Sequence, residues 1–242
     1  MGETHNVSSA ILLARARGEG PSSAARLFSA FAGFDEERAD RLLEESLALR
    51  SVERTVVEVL LAAVAAHLVD SKPETPEYEF AWRHATGWLS AQKRLAAPAS
   101  RDQAVLIFDA TLPFDFDAVQ VHALELVLRR FGLRTLSLTP SPNPTRLGRA
   151  VRAFTPTAVV LTGQRAKLQV LARVVHLVRT VGRETLVCDY RNALPDTGAV
   201  TVCRLGESVI AARDRLVDRL DAQARPAQGS AGLRPRAATA CM

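Results

Sequence analysis

Three carboxylates lie close together where a short apolar run of the chain ends. Asp109 closes the run AVLIFD at 104–109, and Asp115 and Asp117 follow in the next segment. Carboxylate oxygens are the ligands that hard divalent cations such as Mg²⁺ prefer. An acid at the end of a first strand is also typical of phosphoacceptor domains. This segment is therefore a candidate site for Mg²⁺ or for phosphoryl transfer.

The sequence lacks the other parts that such an enzyme needs. The last predicted strand ends on Cys203-Arg204 instead of a lysine, and no glycine-rich phosphate loop or nucleophile elbow occurs. Asp115 and Asp117 equally suit the start of a helix, where the helix dipole favours negative charge. We therefore predict a protein that is not an enzyme and has no metal site.

A second group of side chains that could bind a ligand lies in residues 76–95, PEYEFAWRHATGWLSAQKRL. Trp82, Trp88 and His84 could enclose a planar ligand such as haem. The same aromatic side chains could instead form the seam between two domains, which is the interpretation we favour.

Two further histidines have simpler explanations than ligation. His122 recurs with Val119 and Leu126 at helical spacing, which predicts a packed core histidine more than a haem ligand. His67 falls at the end of an apolar helix. We expect its side chain to be partly exposed there, where the dipole favours positive charge.

The composition is that of an ordinary globular chain. It has 242 residues, 48% hydrophobic residues and a formal net charge of +5, which is enough chain to bury a core without disulfides or metal. Cys188 and Cys203 lie in apolar runs and are expected to be buried. We find no signal peptide and no apolar run long enough to span a membrane, and we predict a cytoplasmic protein. Residues 222–242 lack periodicity and are predicted to be disordered.

Strand and helix patterns alternate through residues 101–221. The apolar runs are nearly continuous, as in strands that are covered by helices on both faces. The alternation predicts a doubly wound, five-stranded parallel sheet of Rossmann-like type, which binds ligands at the carboxyl ends of its strands. The predicted strands are 104–109, 134–139, 157–162, 184–189 and 199–204, and the predicted helices are 116–131, 144–154, 166–181 and 206–220.

Residues 35–97 precede this domain and are predicted to form a helical bundle. Leucines recur at helical spacing in DEERADRLLEESLAL, and SVERTVVEVLLAAVAAHLV is apolar on most sides. A helix that is apolar nearly all round belongs at the centre of a bundle. The predicted fold is thus a four-helix bundle followed by the α/β domain.

Residues 1–34 are predicted to be a short helical N-terminal segment. Two short apolar-periodic pieces in it are separated by GEGP, which gives a helix-turn-helix pattern in the geometric sense. Arg15, Arg17 and Arg26 are its candidate DNA contacts. The second helix carries only Arg26, so direct DNA binding is possible in principle and is not favoured.

This layout resembles the cobalamin-binding sensory module of CarH-type and LitR-type light-responsive regulators of the MerR family. The resemblance covers about residues 35–220 and is carried by RADRLLEESLALRSVERTVVEVLLAAVAAHL, AVLIFDA, HALELVLRRFGLRTLSL and LGRAVRAFTPTAVVLTG. It implies a cobalamin-binding type of Rossmann-like domain, a role in transcription and contacts through the outer faces of the bundle. The N-terminal segment is similar to the last helices of a MerR-type head.

The family's lower-ligand pattern, acid-x-His-x-x-Gly, is altered in this chain. It falls on residues 115–120, with Asp117 at the histidine and Gln120 at the glycine. A carboxylate is a poorer cobalt ligand than imidazole, and the Gln120 side chain would obstruct the approach of the corrin. The resemblance therefore implies a fold without histidine-ligated cobalamin.

The family's other three patterns are altered too. The Ser-x-Leu after the third strand falls on Thr162-Gly163-Gln164, and only the hydroxyl survives. The Gly-Gly after the fourth strand falls on Asp189-Tyr190, where the tyrosine should fill the slot for the nucleotide tail. In the bundle, Glu79 matches the family's Glu, but Phe80 stands at the histidine and the tryptophan falls near Val69.

We therefore predict a regulatory protein in transcriptional control that binds itself or another transcription regulator and needs no cofactor. The first alternative is a sensor of haem, cobalamin or another small molecule in the cleft between bundle and sheet. The second is a regulator that binds DNA directly. The candidate residues of the cleft are Glu79, Phe80, Trp82, His84, Trp88, Asp115, Asp117, Gln120, His122, Thr162, Asp189 and Tyr190.

Overall fold

The computed structural model describes residues 23–70, 75–139, 143–182, 184–195 and 202–224. Within them it confirms the predicted fold class, because a helical bundle is followed by a five-stranded parallel sheet. Most of the predicted N-terminal segment and most of the predicted disordered tail lie outside the described residues.

Four helices form the bundle in the described part of the chain. The first, α1, packs against the other three, although it precedes the predicted start of the bundle at residue 35. Leu27, Ala30 and Phe31 of α1 are fully buried in the bundle core, which explains why the helix joins it. The helices are α1 (Ser23–Ala32), α2 (Glu36–Leu49), α3 (Val52–Arg54, continued by a π-helical stretch Thr55–Leu61 and by Ala62–Asp70) and α4 (Pro76–Leu95).

Side-chain caps fix where three of these helices begin. Asp35, Ser51 and Thr75 each accept a hydrogen bond from a backbone N–H three residues further on, at 3.0, 3.3 and 3.3 Å. Such caps satisfy N–H groups that have no partner within the helix. Pro76 follows Thr75 at the first helical position, where its missing N–H is harmless.

The α/β domain has the strand order β2-β1-β3-β4-β5, with every neighbouring pair parallel. The order reverses between β1 and β3, which is where doubly wound sheets hold their ligands. The elements are β1 (Ala104–Asp109), α5 (Phe116–Arg130), β2 (Arg134–Leu138), α6 (Pro144–Phe154), β3 (Ala158–Thr162), α7 (Leu168–Val181), β4 (Leu186–Tyr190), β5 (Cys203–Gly206) and α8 (Val209–Ala224).

The two faces of the sheet belong to different hydrophobic cores. One face packs against α6 and α7. The other face packs against α5 and α8, and its core continues without a break into the bundle. The bundle is therefore attached to the sheet through α5 and α8.

The last strand and helix begin later than predicted. The prediction placed a strand at 199–204 and a helix from residue 206, whereas β5 ends at Gly206 and α8 starts at Val209. Gly206 adopts a φ of +84°, and its carbonyl accepts a hydrogen bond from the Arg191 N–H at 3.0 Å. The positive φ suits glycine and prevents the helix from starting there.

Candidate functional site

The loops that follow β1 and β3 touch each other at the reversal point of the sheet. Gly163 has a φ of +100°, and a Cβ atom at this position would lie 2.6 Å from the carbonyl carbon of Ala110. Only glycine allows this approach of two backbones. Asp109 stabilises the loop after β1, because its carboxylate accepts hydrogen bonds from the N–H and the hydroxyl of Thr111.

The carboxylate at the predicted lower-ligand position is engaged in an ion pair. Asp117 Oδ1 lies 2.7 Å from Arg191 Nε, and the two side chains are 7% and 17% exposed. Asp115 is the N-cap of α5, as predicted, and accepts a hydrogen bond from the Asp117 N–H. The carboxylate of Asp117 therefore points to β4 and its following loop.

The loop after β4 holds Arg191 in an uncommon backbone conformation. Arg191 and Asn192 both have a φ of 56°. This region disfavours Arg191 by about 1–2 kcal/mol, whereas asparagine adopts it more readily. Contacts offset this strain, because Arg191 binds Asp117 and Asn192 Nδ2 donates to Glu207 Oε1 at 3.2 Å.

Tyr190 and Gln120 fill the space between β4 and α5. The Tyr190 side chain is fully buried, and its hydroxyl lies 3.4 Å from both Gln120 Oε1 and the Glu207 carbonyl oxygen. Burial raises the pKa of Tyr190, so the phenol stays protonated and can donate. Gln120, which was predicted to obstruct the corrin, and Tyr190, which was predicted to fill the slot for the nucleotide tail, are thus packed together.

The remaining polar residues at the strand ends also bond within the chain. Asp189 is 1% exposed and accepts hydrogen bonds from the Leu194 N–H at 2.8 Å and from Arg204 Nη1 at 2.7 Å. Thr162 is buried and donates to the Phe108 carbonyl at 3.2 Å.

Helix α4 covers the loop between β1 and α5. The Tyr78 hydroxyl donates to the Phe114 carbonyl at 3.0 Å, and Trp82 Nε1 donates to the Asp115 carbonyl at 2.9 Å. The Trp82 and Phe114 rings lie 5.0 Å apart. Trp82 therefore belongs to the seam between the bundle and the sheet.

A buried charged cluster extends this seam along α5. Lys93 Nζ lies 2.7 Å from Glu125 Oε2 and 2.8 Å from His122 Nδ1, and Arg129 binds the other Glu125 oxygen. Burial and the Lys93 ammonium lower the pKa of His122. Against the effect of burial, Lys93 and Arg129 lower the pKa of Glu125. His122 is thus a neutral acceptor for Lys93 and lies at the bundle interface.

The other aromatic candidates line a groove on the outer side of the bundle. The groove lies between α2 and α4 and has a volume of about 490 Å³. The structure therefore separates the proposed trio, since His84 and Trp88 line this groove while Trp82 faces the β1–α5 loop. We call it the outer groove, and its lining residues are Glu36, Asp40, Phe80, Arg83, His84, Gly87, Trp88 and Ala91.

His84 has an unusual position at this groove. Its Nε2 lies 3.0 Å from Asp40 Oδ1, its side chain is 6% exposed, and its ring packs beside Phe31 and Phe80. Nδ1 is buried, and none of the described groups forms a hydrogen bond with it. Asp40 therefore orients an imidazole whose second nitrogen lies in apolar surroundings.

The remaining predicted residues lie on the surface or outside the described chain. Glu79 is exposed and pairs with Arg83. Arg26, the described member of the candidate DNA contacts, pairs with Glu45 of α2 at 3.2 Å. Arg15 and Arg17 lie outside the described residues. No helix in the described part of the chain is long and apolar enough to cross a membrane.

Sequence reasoning missed three residues that hold these sites together. Arg191 neutralises Asp117, and Lys93 with Glu125 joins the bundle to α5. A signal existed for Glu125, because an acid that lies between His122 and Arg129 at helical spacing in an apolar helix needs a partner. The sequence contains no such signal for Arg191, whose role depends on the turn after β4.

The residues at the crevice do not fit a corrin with a histidine ligand. Position 117 holds a carboxylate that is paired with Arg191, and the fully buried Tyr190 occupies the end of β4. The described residues include no group of three or more His, Cys, Asp or Glu side chains that could hold a metal ion.

The chain is similar in fold to solved structures of cobalamin proteins. One is the methanol:cobalamin methyltransferase complex MtaBC from Methanosarcina barkeri, with 12% identity, a TM-score of 0.42 and coverage of 83% of this chain and 80% of that chain. Another is a cobalamin-binding protein from Desulfitobacterium hafniense DCB-2, with 12% identity, a TM-score of 0.37 and coverage of 80% and 95%. No protein-family model and no curated protein sequence matches the chain.

Proposed function

We propose that this chain is a non-enzymatic regulatory protein that acts through protein–protein contact and binds no tetrapyrrole at the sheet. The observation that carries the proposal is the closed crevice: Asp117 pairs with Arg191, and Tyr190 packs on Gln120. A role in transcription rests on the resemblance of the sequence to light-responsive regulators.

Energetics favour a crevice that stays closed. A ligand at the sheet edge would have to separate a buried ion pair and displace a buried tyrosine. Breaking a buried pair costs about 3–5 kcal/mol, and removing a large aromatic ring from its packing costs about 3–5 kcal/mol. A ligand would have to supply this free energy before it gained any net affinity.

Visible absorption tests the proposal directly. The chain is expressed with haem and cobalamin available, then incubated with either compound and separated by gel filtration. We expect no Soret or corrin band in the protein peak and no rise in melting temperature, since a ligand that binds the folded state stabilises it. A retained band with a stoichiometric amount of tetrapyrrole would overturn the proposal.

A matched variant identifies the cause of a negative result. Asp117→His and Gln120→Gly together restore the histidine and the glycine of the lower-ligand pattern, and Tyr190→Gly restores the second glycine of the Gly-Gly pattern. If this triple variant folds and retains cobalamin while the parent does not, the closed crevice is the reason. A parent and a variant that bind equally well would show that these residues do not control binding.

The outer groove is the contact surface that we propose, with a second copy of the chain as its occupant. Its α2 wall carries Glu36 and Asp40, and its α4 wall carries Arg83. Two copies related by a twofold axis can place these opposite charges against each other. Trp88 and Phe80 supply the aromatic surface that protein interfaces favour.

Light scattering after gel filtration tests this surface. We expect a dimer for the parent chain and a monomer for Trp88→Ala, with Arg38→Ala as an exposed control on α2, away from the groove lining, that stays dimeric. A parent chain that is monomeric at 100 µM, roughly a hundred times a dissociation constant of about 1 µM, would refute self-association through the groove.

One observation favours a second candidate, a small-molecule sensor at the outer groove. The orphaned His84 Nδ1 can accept a hydrogen bond, and Trp88 offers a ring for stacking. Because that nitrogen is buried, a ligand would have to turn the imidazole outward. His84→Phe should then abolish the thermal shift from such a ligand.

A further inference from the structure

Two cysteines face each other across the last pair of strands. Cys188 of β4 and Cys203 of β5 are register partners in the parallel ladder, and both are free thiols. Neighbouring strands are about 4.8 Å apart, which lies within the Cα separation of roughly 4.4–6.8 Å that a disulfide spans. The strand register therefore places the two thiols where they can be joined.

The two thiols differ in exposure. Cys188 is fully buried, as the sequence analysis expected, whereas Cys203 is only partly buried. A small solute can therefore reach Cys203 more readily than Cys188. This asymmetry assigns different roles to the two sulfur atoms.

Their electrostatic surroundings differ in the same direction. A hydrogen bond from Cys188, together with Arg219 and Arg215 of α8, lowers the pKa of Cys203 to about 6. The hydrogen bond and burial raise the pKa of Cys188. At neutral pH, Cys203 is thus the thiolate and Cys188 the protonated donor.

Helix α8 holds one of these arginines firmly. Arg215 Nη1 donates to the Leu205 carbonyl at 3.0 Å. A Cβ atom at Gly206 would lie 2.6 Å from the same nitrogen, so the glycine makes room for the guanidinium. The guanidinium is therefore held against β5 by this hydrogen bond.

We propose that Cys203 is a hydroperoxide-reactive thiol and that Cys188 resolves its oxidised form into an intrachain disulfide. The Cys203 thiolate attacks ROOH, so that an S–O bond forms, the O–O bond breaks and the alkoxide leaves and takes a proton from water. The Cys188 sulfur then attacks the sulfenic acid, the S–S bond forms and water leaves with the Cys188 proton. Two thiols and one hydroperoxide thus give one disulfide, one alcohol and one water, and the sulfurs lose two electrons.

The size of the rate advantage decides which measurement is informative. At pH 7 a thiol with a pKa of about 6 is some 30-fold richer in thiolate than one with a pKa of about 8.5. Its intrinsic nucleophilicity is about 10-fold to 18-fold lower, because nucleophilicity falls with pKa. The net gain in rate is only about twofold to threefold, so the pH profile of the reaction discriminates better than the rate at one pH.

Mass spectrometry of the full chain tests the proposal, in a background in which Cys241→Ser removes the third cysteine of the sequence. With hydrogen peroxide as the probe, we expect loss of two hydrogens and one peptide pair linked through Cys188 and Cys203. Cys188→Ser should stop the reaction at a sulfenic acid that dimedone captures. Cys203→Ser should prevent oxidation of Cys188, which is shielded. Unchanged circular dichroism is the control for folding in each variant.

Alkylation by iodoacetamide gives an independent readout that does not depend on peroxide. We expect the reaction at Cys203 to have its midpoint near pH 6, and Arg219→Gln should move this midpoint upward. Two results would overturn the proposal. One is a midpoint above about 8, as for an ordinary thiol. The other is a peroxide-treated chain in which both thiols remain free or Cys188 oxidises equally well without Cys203.

Discussion

The crevice at the sheet edge and the outer groove of the bundle differ in what their polar groups contact. In the crevice, Asp117, Gln120 and Asp189 are all buried and all have partners within the chain. In the outer groove, Asp40 is more than half exposed, and His84 keeps a nitrogen without a described partner. The polar groups of the crevice are thus satisfied within the chain without a ligand, whereas the outer groove exposes a carboxylate and has a histidine nitrogen with no described partner.

This difference is the basis for the contact surface that we propose. A ligand crevice needs polar groups whose partners are missing until the ligand arrives. When side chains such as Arg191 and Tyr190 supply those partners, the crevice becomes part of the core. The aromatic face of α4 at the outer groove is one surface that the described chain leaves partly exposed.

Tyr190→Ala should break the closed region most severely. Removing a fully buried aromatic ring should lower the free energy of unfolding by about 3–5 kcal/mol, as measured by urea denaturation. Tyr190→Phe is the control and should lower it by at most about 1 kcal/mol, because the lost hydrogen bonds are long. A loss below about 1 kcal/mol for the alanine variant would mean that the crevice is not packed around this ring.

Asp117→Ala should give the next largest effect. Arg191 would be left without its carboxylate, and because its side chain is 17% exposed it can turn partly to water. We therefore expect a loss of about 2–3 kcal/mol, below the usual value for a buried pair. A double-mutant cycle with Arg191→Met measures the coupling, and a coupling near zero would contradict a closed crevice held by this pair.

The seam between α4 and α5 should respond to acid in two steps. The folded-state pKa of His122 is lowered, so the unfolded chain takes up this proton first. Stability should therefore fall as the pH drops below about 6.5, the ordinary value for histidine. The folded-state pKa of Glu125 is lowered as well. Its contribution is complete above about 4.3 and is lost as the pH falls from there through the folded pKa.

Two variants assign these steps, each followed by urea denaturation across the pH range. His122→Gln should remove the upper step, and Glu125→Gln should remove the lower one. A single step that neither variant alters would show that the seam does not titrate as the cluster around Lys93 requires.

The sequence predicted the fold because the fold depends on patterns that are local. Continuous apolar runs identified the strands, and residues such as Ser51 and Asp115 marked helix starts that the structure confirms. Strand ends then followed from topology, so Asp109, Thr162 and Tyr190 were placed at one edge of the sheet. The sequence did not predict which side chains would bond to these residues, because such partners can be far apart in the chain: Arg191 and Asp117 are separated by 74 positions.

His67 illustrates the same limit in the bundle. Its place at a helix end predicted partial exposure, and this prediction was wrong: the side chain is buried and stacks on Phe28 at 4.2 Å. The helix dipole acts locally, but burial depends on whether another helix covers the site. Helix α1 does so, and its sequence was assigned to a separate N-terminal segment.

Substitution of Gly87 should give the smallest effect on stability, and it tests the comparison between crevice and groove. It lies in the interior of α4, is exposed at the outer groove, and a Cβ atom there would meet nothing within 4 Å. Within one copy of the chain, Gly87→Ala should therefore raise the free energy of unfolding by about 0.5–1 kcal/mol, because glycine weakens a helix interior. The added methyl group enters the groove, so the same variant should dimerise more weakly if the groove is the contact surface.

Ala85→Gly, on the buried side of α4, is the matched reversal and should destabilise the fold. A stabilised Gly87→Ala chain that dimerises as well as its parent would place the contact elsewhere and leave this glycine without a role in association.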